Sequence, residues 1–309
     1  MDQLHLMTVY IAVAEEQGFA AAARRLNMSP PAVTRAISSL ENTLGIKLLN
    51  RTTRYVRVTE AGARYLDDSR KIVSAVEQAN EAAIGINAEP KGHLSVTAPV
   101  LFGQKLVMPG IVEYLKTYPE TQVDAVFLDR VVNLLEEGFD LGIRIGQLPD
   151  STMHAKTVGQ VRLMLVASPE YLARAGIPQN PDDLAQHTLI ASSAGSLAHD
   201  WQFSAANTNI NTKTNTKNKF NLRIKPRLTV TSNQGAINAA KQGLGIARVI
   251  SYQIADELEK GELKTLLENH QLPAMPVHII HREGRMASNK VRCFIDLMTR
   301  RLREDKNLN

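Results

Sequence analysis

The chain has a single cysteine, Cys293, among its 309 residues. An internal disulfide is thereby excluded, and the sequence suits a reducing compartment. No apolar run approaches the ~20 residues needed to span a bilayer. The opening MDQLHLMTVY lacks the basic start of a secretory leader. A cytoplasmic protein without membrane attachment is expected. Catalytic signatures are missing as well: there is no GxSxG, no GxGxxG after a strand and no Walker motif. His278 and His281 stand three apart in a predicted strand, so they point to opposite faces and make a poor metal pair. No cofactor, no metal and no enzymatic activity are expected. Hydrophobic residues make up 44% of the chain and charged residues 22%, the content of a soluble globular protein. The net charge of +5 is a modest pointer to a polyanionic partner, since basic enzymes are common. The length implies two or three domains.

What is present centres on Phe19–Leu44, FAAAARRLNMSPPAVTRAISSLENTL. A short alanine-rich helix, Ala20–Leu26, meets a corner at Asn27-Met28-Ser29. A second helix opens at Ser29-Pro30, a serine N-cap followed by proline where its missing N–H is no loss. Val33, Ile37, Leu40 and Leu44 line one face of that helix. Pro31, Thr34, Arg35 and Ser38 line the other, a guanidinium, two hydroxyls and a proline suited to base edges and phosphates in a major groove. An ordinary helical hairpin with a solvated face would share this pattern. Lys47, Arg51, Arg54 and Arg57 follow with no acidic residue between them. Arg51–Thr59 alternates like a short two-stranded wing carrying phosphate contacts. Residues 2–17 supply an amphipathic helix ended by Gly18, which with Phe19, Ala22, Ala23 and Leu26 covers the apolar face of the second helix.

Thr59 caps a long helix that runs to about Asn87. Leu66, Val73, Val76 and Ala83 recur at heptad-like spacing, with Ser69 and Asn80 in the same seam. The seam is too poor for a strong coiled coil, and we read a connecting helix that packs on its partner's copy; packing on its own domain is the alternative. Ala88–Gly92 is a linker. Strands at Leu94–Ala98, Gln122–Leu128 and Phe139–Ile145 then alternate with helices at Gly103–Tyr118 and Val131–Glu137, an order that predicts a mostly parallel sheet. A second unit begins with a strand at Arg162–Ser168, followed by helices at Pro169–Ala175 and Pro181–Gln186. It continues with a strand at Leu228–Thr231, a helix at Gln234–Gln242, a strand at Leu244–Ile250 and a helix at Tyr252–Lys260. The chain returns to the first unit with a strand at Pro276–His281 and a helix at Ala287–Leu302. Two α/β lobes joined by two crossings would leave a cleft. Asn207–Asn221, NTNINTKTNTKNKFN, is polar and basic and reads as a surface loop or extended hairpin; a DNA contact through Lys213, Lys217 and Lys219 is the alternative.

Ligands in open α/β sheets sit beyond the carboxyl ends of strands, near helix N-termini that favour anions. Two such ends are legible. One is Ala98 leading through Pro99 and Val100 to Phe102; the other is Ser232-Asn233 ahead of the next helix. Arg144 and Gly146 end the third strand and Asp129 the second. Phe102 and Phe203 would supply apolar walls. A small organic acid, aromatic in one version, is the expected ligand. Phe102 and Phe203 as plain core, and Ser232 as a plain N-cap, are the alternatives. Cys293, beside Phe294-Ile295, reads as a buried structural thiol, with a redox role as the alternative.

The segment AAARRLNMSPPAVTRAISSLENTLGIKLLNRTTRYVRVTEAG resembles the N-terminal signature of LysR-type transcriptional regulators. VTAPVLFGQKLVMPGI, EEGFDLGIRIGQLPDS, SPEYLARAG, PDDLAQH and GAINAAKQGLGIARV resemble the same family's effector domain, in the same order. The resemblance implies an α+β multidomain protein. A winged helix-turn-helix, all-α with a small β wing, would span residues 1–58 and a dimerising linker helix residues 59–88. A two-lobed α/β domain like periplasmic binding proteins would follow. Its first lobe would comprise residues 92–161 and 266–303, and its second residues 162–265. The family's partners are double-stranded promoter DNA with an interrupted palindrome, a small-molecule effector and further copies of the chain, as dimers of dimers. Pro30, Pro31, Thr34 and Arg35 match the positions that face bases, and Ser29, Ser38, Arg51 and Arg54 those that face phosphates. Many members carry glutamine where this chain has Pro30, so one amide–base contact is missing. Arg35, with methyl contacts from Thr34 and Pro31, would then carry more of the base reading. A solute-binding or metabolic α/β protein without a DNA role is the competing reading; the basic wing argues against it.

Overall fold

A computed structural model describes residues 2–51, 56–84, 89–148, 153–193, 200–204, 219–281 and 287–308. The expectations for Arg54, for residues 85–88 and for residues 207–218 lie outside these residues, as do those for the side chains of Arg51 and Ala83. The chain divides into two compact units, Met1–Ala88 and Glu89–Asn309.

The first unit opens with α1, Gln3–Glu16, capped by the Asp2 carboxylate, which accepts from the Leu4 N–H at 3.1 Å. Its C-cap is Gln17, in the left-handed region, not Gly18; Gly18 instead N-caps α2, Phe19–Arg25. In α3, Pro30–Leu44, the Ser29 hydroxyl accepts from the Ala32 N–H, and Gly45 closes the helix at φ 69°. Val33, Ile37 and Leu40 are fully buried against Val9, Tyr10, Val13, Ala22 and Leu48, so the apolar stripe is the unit's core. A hairpin follows: β1, Leu49–Arg51, pairs antiparallel with β2, Val56–Val58. In α4, Glu60–Ile84, the first turn is capped by Thr59, whose hydroxyl accepts from the Gly62 N–H. Tyr65 and Leu66 join the unit's own core and Ser69 is buried, whereas Ile72 is exposed.

The second unit holds two five-stranded sheets. The first comprises β3 (Gly92–Ala98), β4 (Thr121–Phe127), β5 (Leu141–Ile145), β6 (His154–Val161) and β14 (Met275–His281), in the order β4-β3-β5-β14-β6. The second comprises β7 (Leu163–Ala167), β8 (Leu189–Ser192), β11 (Leu228–Val230), β12 (Ile246–Ile250) and β13 (Lys264–Leu266), in the order β11-β8-β12-β7-β13. Each has two parallel and two antiparallel ladders. The mostly parallel sheet expected from the β-α-β order is thus corrected to a mixed one. A strand arriving without a crossover helix can pair antiparallel, and β14, returning late in the sequence, does so on both sides.

Helix α5, Val100–Phe102, runs through a π turn at Gly103–Val107 into α6, Met108–Thr117. The expected helix at Val131–Glu137 is absent. There the Asn133 side chain accepts from the Leu135 N–H, the Glu137 carboxylate accepts from the Asn133 N–H, and Gly138 turns the chain at φ 76°. These side-chain bonds compete with helical ones. Pro181–Gln186 is a 3₁₀ turn. The expected helix at Tyr252–Lys260 divides into a 3₁₀ turn at Ser251–Gln253 and a helix at Ala255–Glu259. Helices at Pro169–Ala175 (α7), Asn233–Lys241 (α8) and Asn289–Glu304 (the C-terminal helix) match expectation closely. Strands β9, Asp200–Ser204, and β10, Lys219–Arg223, form an antiparallel hairpin in which Ser204 faces Lys219. Residues 219–221 therefore belong to a strand.

Candidate nucleic-acid interface and effector region

The solvent face of α3 is built by helical spacing from residues chosen for hydrogen bonding. Thr34, Arg35, Ser38, Ser39, Asn42 and Thr43 share one surface, and Ser29, Pro30 and Pro31 are exposed at its N-terminal end. Ser38 and Ser39 are half-buried at its edge. Unlike Arg25, which bonds Glu15 at 2.8 Å, the Arg35 guanidinium has no ion pair among the described residues. The Thr34 hydroxyl donates to the Pro30 carbonyl at 3.0 Å, and Thr43 likewise to Ser39. Their protons are used within the helix, so outward they offer an acceptor oxygen and a methyl group. Ser39, Asn42 and Thr43 were missed by sequence reasoning, although Asn42 lies seven residues from Arg35 and four from Ser38, a spacing that places it on this face. On the wing, Asn50 faces Arg57 across the hairpin, and the Arg57 side chain is exposed.

The second unit brings Ala98, Pro99, Val100 and Asp129 together. Ala98 ends β3, its carbonyl accepting from the Leu128 N–H at 2.8 Å, and Pro99 forms the N-cap of α5. The Asp129 carboxylate accepts from the Val100 N–H at 3.0 Å. A carboxylate therefore already occupies the helix start where an anion was expected. Phe102 is fully buried and packs edge-on to Tyr252, ring centroids 5.1 Å apart. Burial, with a contribution from the Asp129 charge, pushes the Tyr252 phenol well above its ordinary range despite a hydrogen bond from Gln253. Lys105, in the π turn, donates to the Gln253 carbonyl at 3.0 Å and to Asp256 at 3.3 Å, tying the segment after β3 to the segment after β12.

Arg144 is half-buried, its guanidinium donating to the carbonyls of Ile143 and Val132 at 3.1 and 3.2 Å. Burial lowers its pKa, opposed by Glu137 and reinforced by Arg130. Gly146 turns at φ 107°. Ser232 caps α8, accepting from the Gly235 N–H at 3.1 Å, and Asn233 is that helix's first residue.

Phe203 stands apart from this group. It is buried in a different core cluster with Trp201, Leu165 and Ile246, and its ring stacks on Phe220 at 5.8 Å. The neighbouring cavity, which Arg248 and Gln271 also line, has a volume of about 20 Å³, room for a water and not for an organic acid. Arg248, its guanidinium 5.2 Å from the Trp201 ring centre, is pulled down to about 10 by burial. His278 bonds the Thr157 hydroxyl through Nδ1, while the His281 ring stacks on His154. Cys293 is half-buried.

Two family models match the chain. Residues 4–63 match the bacterial regulatory helix-turn-helix of the LysR family, and residues 87–303 the LysR substrate binding domain. An HTH-type transcriptional activator of Escherichia coli, AaeR, is 31% identical over 97% of this chain and 94% of its own. An HTH-type transcriptional regulator of Haemophilus influenzae is 30% identical over 94% of this chain and 98% of its own. The solved structure of CrgA, a LysR-type transcriptional regulator from Neisseria meningitidis, superposes with a TM-score of 0.60 at 27% identity, covering 96% of this chain and 98% of that one. No helix among the described residues is long and apolar enough to cross a membrane. Helix-turn-helix, wing, linker helix and two mixed α/β sheets together place the chain in the LysR family of DNA-binding transcriptional regulators, with a helix-turn-helix that binds DNA and a domain that binds a small-molecule effector.

Proposed function

We propose that the chain reads promoter DNA chiefly through Arg35 and Thr34. It works by binding, not by catalysis. The observation that carries this is the α3 surface: a guanidinium with no ion pair among the described residues, set amid hydroxyls and an amide, with no large apolar side chain. Arg35 suits guanine O6 and N7. Thr34, its proton spent on Pro30, suits a thymine methyl or an amino group donated by adenine or cytosine. Pro30 and Pro31 add apolar contact, and Ser29, Ser38, Arg51, Arg54 and Arg57 hold phosphates. The functional divisions are residues 1–58 for DNA, 59–88 for pairing subunits, 92–161 with 266–303 for one effector lobe and 162–265 for the other. The exposed Ile72 on α4 supports subunit pairing, and a dimer of dimers suits an interrupted palindrome.

The effector is a small organic acid held near Ala98–Val100, Phe102, Asp129, Arg144, Gly146 and Ser232–Asn233. Arg144 and the start of α8 suit its carboxylate, whereas Asp129 suits a hydroxyl or N–H on the same molecule. Phe102 and Tyr252 back the site from the core. The test of DNA reading is binding of wild type and Arg35→Ala to a bound promoter and to its scrambled version. Wild type discriminates and the variant does not; a variant that still discriminates overturns the assignment. The test of the effector class is calorimetry of the whole protein against aromatic and aliphatic acids, where absence of heat from all of them overturns the acid reading alone.

A further inference from the structure

Glu41 lies on α3 but off its solvent face, and only 2% of it is exposed. One carboxylate oxygen, Oε1, accepts from the N–H groups of both Leu48 and Leu49, at 3.0 and 3.2 Å. The other accepts from Lys47 Nζ at 2.8 Å. Its backbone carbonyl accepts from the Gly45 and Ile46 N–H groups. The whole turn between α3 and the first wing strand is thus wrapped on one residue. Thr59 fixes the other end of the wing, its N–H donating to the Leu48 carbonyl at 2.9 Å and its hydroxyl to the Lys47 carbonyl at 2.9 Å.

We propose that Glu41 is a positioning residue for DNA binding, setting where the wing strands, and with them Arg57, stand relative to the reading face of α3. The idea rests on DNA contact by that face and the wing. A carboxylate that bonds two consecutive N–H groups through one oxygen, at Leu48 just before β1 and at Leu49, its first residue, defines both distance and direction, which a purely apolar contact would not. Each wing cation on a phosphate adds about one to the slope of log affinity against log salt. That slope reports the number of ion contacts and is unchanged by a smaller fraction of folded protein. It therefore separates positioning from simple loss of stability.

The experiment measures binding of the full chain to a random-sequence duplex across a salt series, for wild type, Arg57→Ala, Glu41→Asp and Glu41→Gln. Wild-type binding checks DNA contact itself. Arg57→Ala lowers the slope by about one. Glu41→Asp, which keeps the charge but withdraws the acceptor from Leu48 and Leu49, lowers it at least as far, and adding Arg57→Ala to it then changes little. Glu41→Gln keeps an acceptor oxygen within reach and retains the wild-type slope. A wild-type slope in Glu41→Asp overturns the proposal, and so does a loss in Glu41→Gln equal to that in Glu41→Asp. Should Glu41→Asp fail to fold, Glu41→Met, which keeps the buried volume but removes both acceptor oxygens, takes its place: a lowered slope supports the proposal and a wild-type slope overturns it.

Discussion

The Tyr10 hydroxyl donates to the Gly62 carbonyl at 2.9 Å across a buried contact, fastening α1 to the first turn of α4. Burial, aided by the charge on Glu41, pushes the Tyr10 phenol up to about 12, so it remains a donor throughout the physiological range. A Cβ on Gly62 would fall 2.1 Å from the Leu48 carbonyl oxygen and 2.8 Å from the Tyr10 hydroxyl. Glycine is needed here for close approach, since its φ is not in the left-handed region. Gly62→Ala is expected to destabilise the first unit by ~1–3 kcal/mol through overpacking. Tyr10→Phe should cost ~0.5–1.5 kcal/mol. Denaturant unfolding checks both, and a Gly62→Ala midpoint equal to wild type would show that the backbone relaxes freely.

Arg35→Ala should reduce the preference for the correct site by ~1–3 kcal/mol, because a bidentate base contact is lost. Arg57→Ala should instead weaken binding to all sequences and flatten the salt dependence. Competition binding with cognate and scrambled duplexes at two salt concentrations separates the two. If both variants weakened both duplexes equally, base reading would lie elsewhere on α3, with Asn42 the next residue to replace.

Acid should loosen the first unit in a defined direction. Burial opposes ionisation of Glu15, but Arg70 and Arg25 outweigh it and hold the carboxyl below its ordinary 4.5. Burial opposes Glu41 likewise, and Lys47 with the Leu49 and Leu48 N–H groups outweighs it. Groups whose pKa is lower folded than unfolded contribute stability that is complete above the unfolded value and is lost as pH falls through the folded one. Stability should therefore decline as pH drops below about 4.5. A Glu15→Gln, Glu41→Gln double variant should decline less steeply. Unfolding midpoints from pH 7 downward measure this, and parallel curves would count against the assignment.

The parts legible in the sequence were those decided locally. Ser29-Pro30 opens a helix by capping chemistry, and Val33, Ile37 and Leu40 declare its buried face, whatever the rest of the chain does. β6 was illegible for the opposite reason. HAKTVGQV buries only Val158 and Val161 and becomes an edge strand by pairing with β14, more than a hundred residues later. The turn at Val131–Glu137 has a helical pattern, but Arg130, Asn133 and Glu137 bond one another and the backbone instead. At the effector region the sequence offered Phe102 and Phe203 equally as wall or core. Apolarity alone cannot separate these, and only the contact of Phe102 with Tyr252 and the packing of Phe203 with Trp201 and Leu165 place both in packed clusters.

Asp129 offers the sharpest probe of where an effector carboxylate lies. Its charge stands at the start of α5, bonded to the Val100 N–H. A ligand anion near that start meets repulsion in place of the attraction a free helix end provides. Asp129→Asn keeps an acceptor oxygen for Val100 while removing the charge, so the fold should change little. Affinity for an acidic effector should then rise by ~0.3–1 kcal/mol, the range of a charge–helix-end interaction. If the ligand instead donates a hydrogen bond to the carboxylate, affinity should fall by a similar or larger amount, because bonds to charged groups are the stronger ones. Calorimetric titration of both proteins with the same acid distinguishes the cases. Identical affinities would place the ligand away from α5 and leave Arg144 and the start of α8 as the positions to test.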